Sequence, residues 1–265
     1  MDVDADPGHY VRLMDLARGG REDDPALYRG LFGALAAREG ERVLDVGCGT
    51  GGTMRALAAS LPGVGAVVGL DVSEAMLAEA RARANASSAP LEFVPGDAHE
   101  MPFPDGSFDA AYSTRVFEIV RDPRRVLAEM ARVLRPGGRL VVNGIDMDAW
   151  VIDSSERDVT RRIFHYASDF ETNGWAGRQL PGWCKELGLT DLRVTPVTFT
   201  LEEFETLYEV ALRAFVENAA AAGAVTADEA ARWVEDLRDR DRRGLFFCSQ
   251  TFFRVSAAKP VDSRQ

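Results

Sequence analysis

Ten residues, VLDVGCGTGG (43–52), restrict this chain more than any other stretch. Four of them, Val43 to Val46, close the strand-like run ERVLDV (41–46). Glycines follow at Gly47, Gly49 and Gly51, and a helix-compatible segment runs from Thr53 to Leu61, stopped by Pro62-Gly63. Glycine tolerates positive φ and lets backbone N–H groups come close to a ligand. The start of the next helix favours a carboxylate or phosphate. Gly47, Gly49 and Gly52 also satisfy the GxGxxG pattern. By itself, then, the loop leaves open a dinucleotide site, another anionic ligand and a purely structural turn.

The same alternation repeats downstream. Ala66–Leu70 reads as a strand ending at Asp71, and Ser73 caps a helix through Ala84 with Glu74 at its positive end. Leu91–Val94 and Phe108–Tyr112 are short strands. Asp122 caps a helix from Pro123 to Leu134, Pro136-Gly137-Gly138 is a tight turn, and Arg139–Asn143 is a fifth strand. Strands alternating with helices of about ten residues predict an α/β fold, Rossmann-like and doubly wound, joined by right-handed crossovers. Ligands on such sheets bind beyond the carboxyl ends of the strands. The second half differs: 154–171 and 201–242 look mostly helical. A strand is expected at Leu192–Phe199 and a final one in FFCSQTFFRV (246–255), with Leu245–Phe247 buried on both faces. Four regions are expected: an N-terminal segment (1–25), the α/β core (26–150), a helical cap that includes a sheet strand near 190–199 (151–243) and the last core strand (244–258). The helix from Leu201 to Ala222 suits either core packing or a dimer contact, so monomer and homodimer both stay open.

Composition excludes several functions. The 265 residues carry 42 acids and 31 bases, a net charge of -11. Such a surface repels phosphate backbones, which argues against nucleic acid and anionic membranes as partners. Cys48, Cys184 and Cys248 show no CxxC spacing, so reduced thiols are expected rather than a disulfide or zinc. The polar MDVDADPGHY has neither the basic nor the apolar part of a signal peptide, and no run of about 18 apolar residues occurs. A soluble, cytoplasmic protein is expected.

Two further strand tips narrow the ligand. Asp71 lies 26 residues after Asp45 (71 - 45), near the roughly 20-residue offset at which a carboxylate meets ribose hydroxyls. Gly96-Asp97-Ala98 follows the third strand. A carboxylate there can accept from an exocyclic adenine amine, and the Ala98 N–H can donate to a ring nitrogen. Taken in order, VLDVGCGTG, VVGLDVS, GDAHEMPFPDGSFDAAYS and RVLRPGGRLVV resemble the class I S-adenosylmethionine-dependent methyltransferases. The branch resembled includes ubiquinone and menaquinone biosynthesis enzymes and natural-product methyltransferases. The likeness covers roughly residues 30–145.

The resemblance implies a seven-stranded sheet with its last strand antiparallel, and S-adenosylmethionine as cofactor. It implies that Asp45 and the loop Gly47, Cys48, Gly49 and Gly51 hold the methionine end and that Asp71 binds the ribose. Val72 and Met76 would pack on the adenine, Asp97 and Ala98 would read its edge, and Ser113 would face the methionine moiety. His99 departs from the usual pattern and is expected as an exposed loop side chain beside the adenine pocket.

The acceptor side is thinner. Methyl transfer needs alignment above all, with a base only when the nucleophile's proton must leave early. His165 and Tyr166 in RRIFHYASDF are the catalytic candidates, set against a surface or packing role. Tyr10, beside His9, is a substrate candidate. Asp146, Asp148 and Trp150 in NGIDMDAW follow the fifth strand and would face the mouth of the site, unless the acids are merely solvated. Two acids two positions apart with no third ligand do not make a metal site, so no metal is expected. Arg115 is given no role. The expected activity is methylation of an O, N or C atom of a small apolar or aromatic metabolite. A non-methylating cyclase-like enzyme and an NAD-dependent oxidoreductase are the alternatives.

Overall fold

A computed structural model describes residues 24–84, 90–170 and 172–261, together with Gly8, Val11, Arg12 and Asp15. The elements run in the order α1 (Pro25–Leu35), β1 (Arg42–Val46), α2 (Gly52–Ser60), β2 (Ala66–Asp71), α3 (Glu74–Ala84), β3 (Leu91–Pro95), β4 (Phe108–Thr114), α4 (Pro123–Val133) and β5 (Leu134–Ile152). Then come α5 (Arg157–Phe170), α6 (Ala176–Glu186), β6 (Thr190–Leu201), α7 (Phe204–Leu207), a π-helical turn (Tyr208–Leu212), α8 (Arg213–Ala221), α9 (Ala227–Arg242) and β7 (Cys248–Ala258). One seven-stranded sheet has the order β3-β2-β1-β4-β5-β7-β6. β3, β2, β1, β4 and β5 are mutually parallel, and β7 runs antiparallel to both β5 and β6. The expected doubly wound sheet with an antiparallel last strand is therefore present.

Local chemistry sets the helix starts. Asp24 accepts from the Ala26 N–H (2.9 Å) and Asp122 from the Arg125 N–H (3.0 Å), each with proline at the first helical position. Thr226 and Glu229 form a reciprocal capping box on α9. The central strands are apolar on both faces because helices cover both. One core layer lies against α1 and α2, and includes Leu31, Leu35, Met54, Leu57, Tyr112 and Val141. The opposite layer lies against α4 and α6 and includes Val126, Met130, Leu180 and Trp183. A third core joins α5, the segment 204–221, α9 and the start of β7 around the fully buried Trp233.

The ends of β5 depart from expectation. The strand already pairs with β4 at Leu134, and Arg135–Gly138 bulges out before Arg139 rejoins the ladder, with Gly137 at φ 73°. Its far end continues beyond Asn143 to Ile152, because β7 pairs with Trp150, Val151 and Ile152 after a second irregularity. Asp146 and Asp148 therefore lie within a bulged strand rather than a loop. Leu245 and Phe247 are 50% and 46% exposed and precede β7, so the expected burial on both faces does not hold there. The 201–242 stretch is broken by a turn at 222–226. Of the N-terminal segment, Asp15 pairs with Arg83 of α3 (2.8 Å); His9 and Tyr10 lie outside the described residues. No described helix is long and apolar enough to cross a membrane, and all three cysteines are free thiols.

Candidate active site

Three strand tips are hydrogen-bonded into one unit. The Gly47 and Cys48 N–H groups both donate to the Leu70 carbonyl (2.8 and 3.1 Å), which lashes the glycine loop to β2. The Asp71 carboxylate accepts from the Gly49 N–H through Oδ2 (2.8 Å) and from the Ser73 N–H through Oδ1 (3.0 Å). The Asp71 carbonyl accepts from the Gly96 N–H (3.0 Å), which brings in the tip of β3. Gly47, Gly49 and Gly51 have φ of 75°, 52° and 75°, a region that strains other residues. A Cβ at position 47 would also lie 2.2 Å from the Val116 methyl. All three glycines are required by conformation, and Gly47 also by space.

Around this cradle the side chains differ in role. Asp45 is 2% exposed at the end of β1, beside Tyr112 of β4. Burial, then the Asp45 charge, pushes the Tyr112 phenol well above its ordinary value, so it remains an O–H donor. Burial likewise pushes up the Cys48 thiol, helped by Asp45 and Asp71, which makes it a packing group rather than a nucleophile. Val72 is 74% exposed at the tip of β2, while Met76 is buried one turn into α3. The Ser113 hydroxyl donates to the Val46 carbonyl (2.8 Å) and is fully buried. It ties β4 to β1 at the site rather than reaching outward.

Asp97 and Ala98 stand just beyond β3, with Ala98 partly buried against the core. His99 corrects an expectation. Its side chain is only 20% exposed, and it links two elements. Nδ1 lies 2.5 Å from Asp97 Oδ1, and Nε2 accepts from the Asp122 N–H (3.2 Å), so the proton sits on Nδ1. The His99 backbone N–H donates to the same Asp97 oxygen (2.9 Å). The backbone and then the side chain of His99 hold the Asp97 carboxyl below the usual carboxylate range. Asp97 is thereby aimed and kept ionised.

On the acceptor side, Asp146 is 1% exposed and both its oxygens are gripped by Arg178 of α6; Asp148 meets the same guanidinium at 3.1 Å. The acids expected at the mouth thus have an internal partner and are not simply solvated. Trp150 stacks on Phe164 (5.7 Å) and meets Phe215 edge-on (6.0 Å). His165 is exposed on α5, and Tyr166 is half-buried and stacks on Phe170. Among the described residues no cluster of His, Cys, Asp and Glu could hold a metal. Sequence reasoning missed the buried Tyr112 and Glu118. Glu118, buried just past β4, pairs with Arg115 (3.2 Å), which takes positive φ (65°) there. The signal available for Tyr112 was its place two residues before the end of a strand.

The sheet order, with β7 antiparallel beside β5, is that of the Rossmann-like methyltransferase fold. Residues 44–142 match the family described as a methyltransferase domain. The chain is 37% identical over 229 residues, 86% of its length, to an uncharacterized 37.1 kDa protein in transposon TN4556 of Streptomyces fradiae, of which the match covers 65%. It is 47% identical over 110 residues to a demethylmenaquinone methyltransferase of Clavibacter sepedonicus, covering 41% of this chain and 43% of that one. Phosphoethanolamine N-methyltransferase 2 of Haemonchus contortus, solved with S-adenosyl-L-methionine, shares the fold (TM-score 0.55, 22% identity, 87% of this chain, 51% of that one). The chain spans less than two thirds of each of these proteins. Residues 44–142 thus resemble a methyltransferase domain, set in a Rossmann-like methyltransferase fold.

Proposed function

We propose that this protein transfers the methyl group of S-adenosylmethionine to a small-molecule acceptor with an aromatic or otherwise apolar body, akin to quinone and natural-product precursors. The observation that carries this reading is Asp71, whose carboxylate accepts from the Gly49 and Ser73 N–H groups and whose backbone carbonyl accepts from the Gly96 N–H, so that one residue knits the tips of β1, β2 and β3 together. The cradle fits the cofactor, because positive φ at Gly47, Gly49 and Gly51 turns the chain at the tip of β1 with no side chain at these three positions. Asp71 would receive the ribose hydroxyls, Asp97 the adenine amine and the Ala98 N–H a ring nitrogen. Asp45, beside Tyr112, and the glycine loop would hold the amino-acid end. When bound, the cofactor supplies a methyl carbon already activated by positive sulfur. The chain's own task is to align the acceptor and exclude water, and orientation of this kind is worth up to about 7–11 kcal/mol. His165, Tyr166, Tyr10 and Trp150 stay candidates for acceptor contact, in a monomer or a homodimer.

One observation weighs against a nicotinamide enzyme. Dinucleotide sheets run 3-2-1-4-5-6, whereas this one turns back through an antiparallel β7. The net charge of -11 weighs against nucleic acid and anionic membranes as partners and suits a cytoplasmic enzyme. Calorimetry with S-adenosylhomocysteine and with NAD tests the cofactor assignment, and binding is expected only for the first. Transfer of labelled methyl to a panel of naphthoquinols and catechols tests the reaction. Indifference to both S-adenosylmethionine and S-adenosylhomocysteine would sink the proposal, and firm cofactor binding without any transfer would favour the non-methylating alternative.

A further inference from the structure

Arg254 stands out among the arginines of the interior. Arg132, Arg139 and Arg240 are similarly enclosed, and each holds a carboxylate, of Glu129, Glu41 and Asp236 respectively. Arg254 is half-buried in β7, and among the described residues no carboxylate lies within ion-pair distance of it. Its Nε donates to the Asn143 side-chain carbonyl (3.1 Å). Burial alone pulls the guanidinium below its ordinary value, and no acid counters that pull. Enclosed cations are normally paired, because desolvating a lone charge is costly.

Its place in the fold says what such a cation could serve. Arg254 pairs with Asn143, and Asn143 with Thr114, so it stands level with the end of β4, one position beyond Ser113. β4 stops there, while β5, β7 and β6 run on beneath the cap. Arg254 thus lies at the step between the strand tips and that extension, on the face covered by α1. Helix α1 is built to admit it: a Cβ at Gly30 would lie 2.3 Å from the Arg254 Nη1. Two positions further out, the pair Ile145 and Phe252 leads into the cluster containing Trp150 and Phe215. A fixed cation and an aromatic wall therefore share one face of the sheet.

We propose that Arg254, oriented by Asn143 and admitted by Gly30, is the anion-recognition residue of the acceptor pocket, and that the acceptor carries an anionic oxygen group on an aromatic body. This rests on the preceding assignment of the strand tips to the cofactor. The guanidinium offers a forked pair of donors suited to a carboxylate, and it would fix which edge of the acceptor turns toward the methyl group.

The test titrates full-length protein saturated with S-adenosylhomocysteine with 2-naphthoate and its neutral isostere 2-naphthamide, following tryptophan fluorescence and calorimetry. The wild type is expected to bind naphthoate at least ten-fold more tightly than naphthamide. Arg254→Gln and Gly30→Ala should both abolish that preference, and Arg254→Lys should keep part of it. Affinity for S-adenosylhomocysteine should stay within two-fold in all three. Should Arg254→Gln fail to fold, Gly30→Ala, a helix-favouring change, carries the test with Arg254→Lys. Equal binding of the two probes by the wild type, or undiminished preference in the folded variants, overturns the proposal. So does a loss of S-adenosylhomocysteine affinity in Arg254→Gln without any change in probe preference, because the guanidinium would then serve the cofactor. A wild type that ignores S-adenosylhomocysteine yet prefers naphthoate supports the anion site and fails the cofactor assignment instead.

Discussion

Gly47 shows how much one position can demand. Its φ of 75° strains any side chain, and a Cβ there would strike Val116. Gly47→Ala is expected to destabilise the fold by about 1–3 kcal/mol and to weaken S-adenosylhomocysteine binding more than ten-fold, checked by chemical denaturation and calorimetry. Asp97 carries a pH prediction. Its folded carboxyl is held below the ordinary value by His99, so its charge-dependent contribution is complete above about pH 4 and is lost only as pH falls through the lowered folded value. S-adenosylhomocysteine affinity should therefore hold level from pH 7 to 5, and Asp97→Asn should lower it at every pH in that range. A calorimetric series shows whether it does. Asp71 and Asp97 were legible in the sequence because each directly follows its own strand. The hold of His99 on Asp97 was not, since its second partner is the Asp122 N–H, 23 residues away.

Between elements, a bidentate joint in the second half sets Arg178 of α6 on Asp146 of β5. Hydrogen bonding to Asp146 is the main cause raising the guanidinium above its ordinary value. Asp146 is almost wholly buried, so removing its partner strands a charge. Arg178→Met should cost about 3 kcal/mol, while Asp146→Asn should cost less because the half-exposed Arg178 can turn to solvent. Urea melts of the two variants separate these outcomes. The strand β5 explains why the joint escaped sequence reading. Local signals ended it at Asn143, where the polar NGIDMD begins, and its continuation to Ile152 depends on pairing with β7 about a hundred residues later. The helix starts at Ser73 and Asp122 were better read, because each side chain caps its own next turn.

For the molecule as a whole, the cofactor loops join β1, β2 and β3, so a ligand that spans them should stabilise the entire sheet. S-adenosylhomocysteine at about 100 times its Kd should add about 2.7 kcal/mol and raise the melting temperature by roughly 5–10 °C. NAD at the same concentration should leave it unchanged, and a thermal scan distinguishes the two. The amino-acid sequence by itself determined the doubly wound core and the cofactor half of the site. Those features are written in short segments, where a strand, its glycine loop and its carboxylate are chain neighbours and follow from periodicity and backbone freedom. Tertiary structure alone decided the surroundings proposed for the acceptor. Thr114, Asn143 and Arg254 meet through strand register, Gly30 arrives from a helix on one face, and Asp146 is claimed by Arg178 from the other. The physical reason is that a side chain's charge partner is chosen by which strands pair and which helix covers them, and that choice is made by the cooperative burial of the whole sheet rather than by any local propensity.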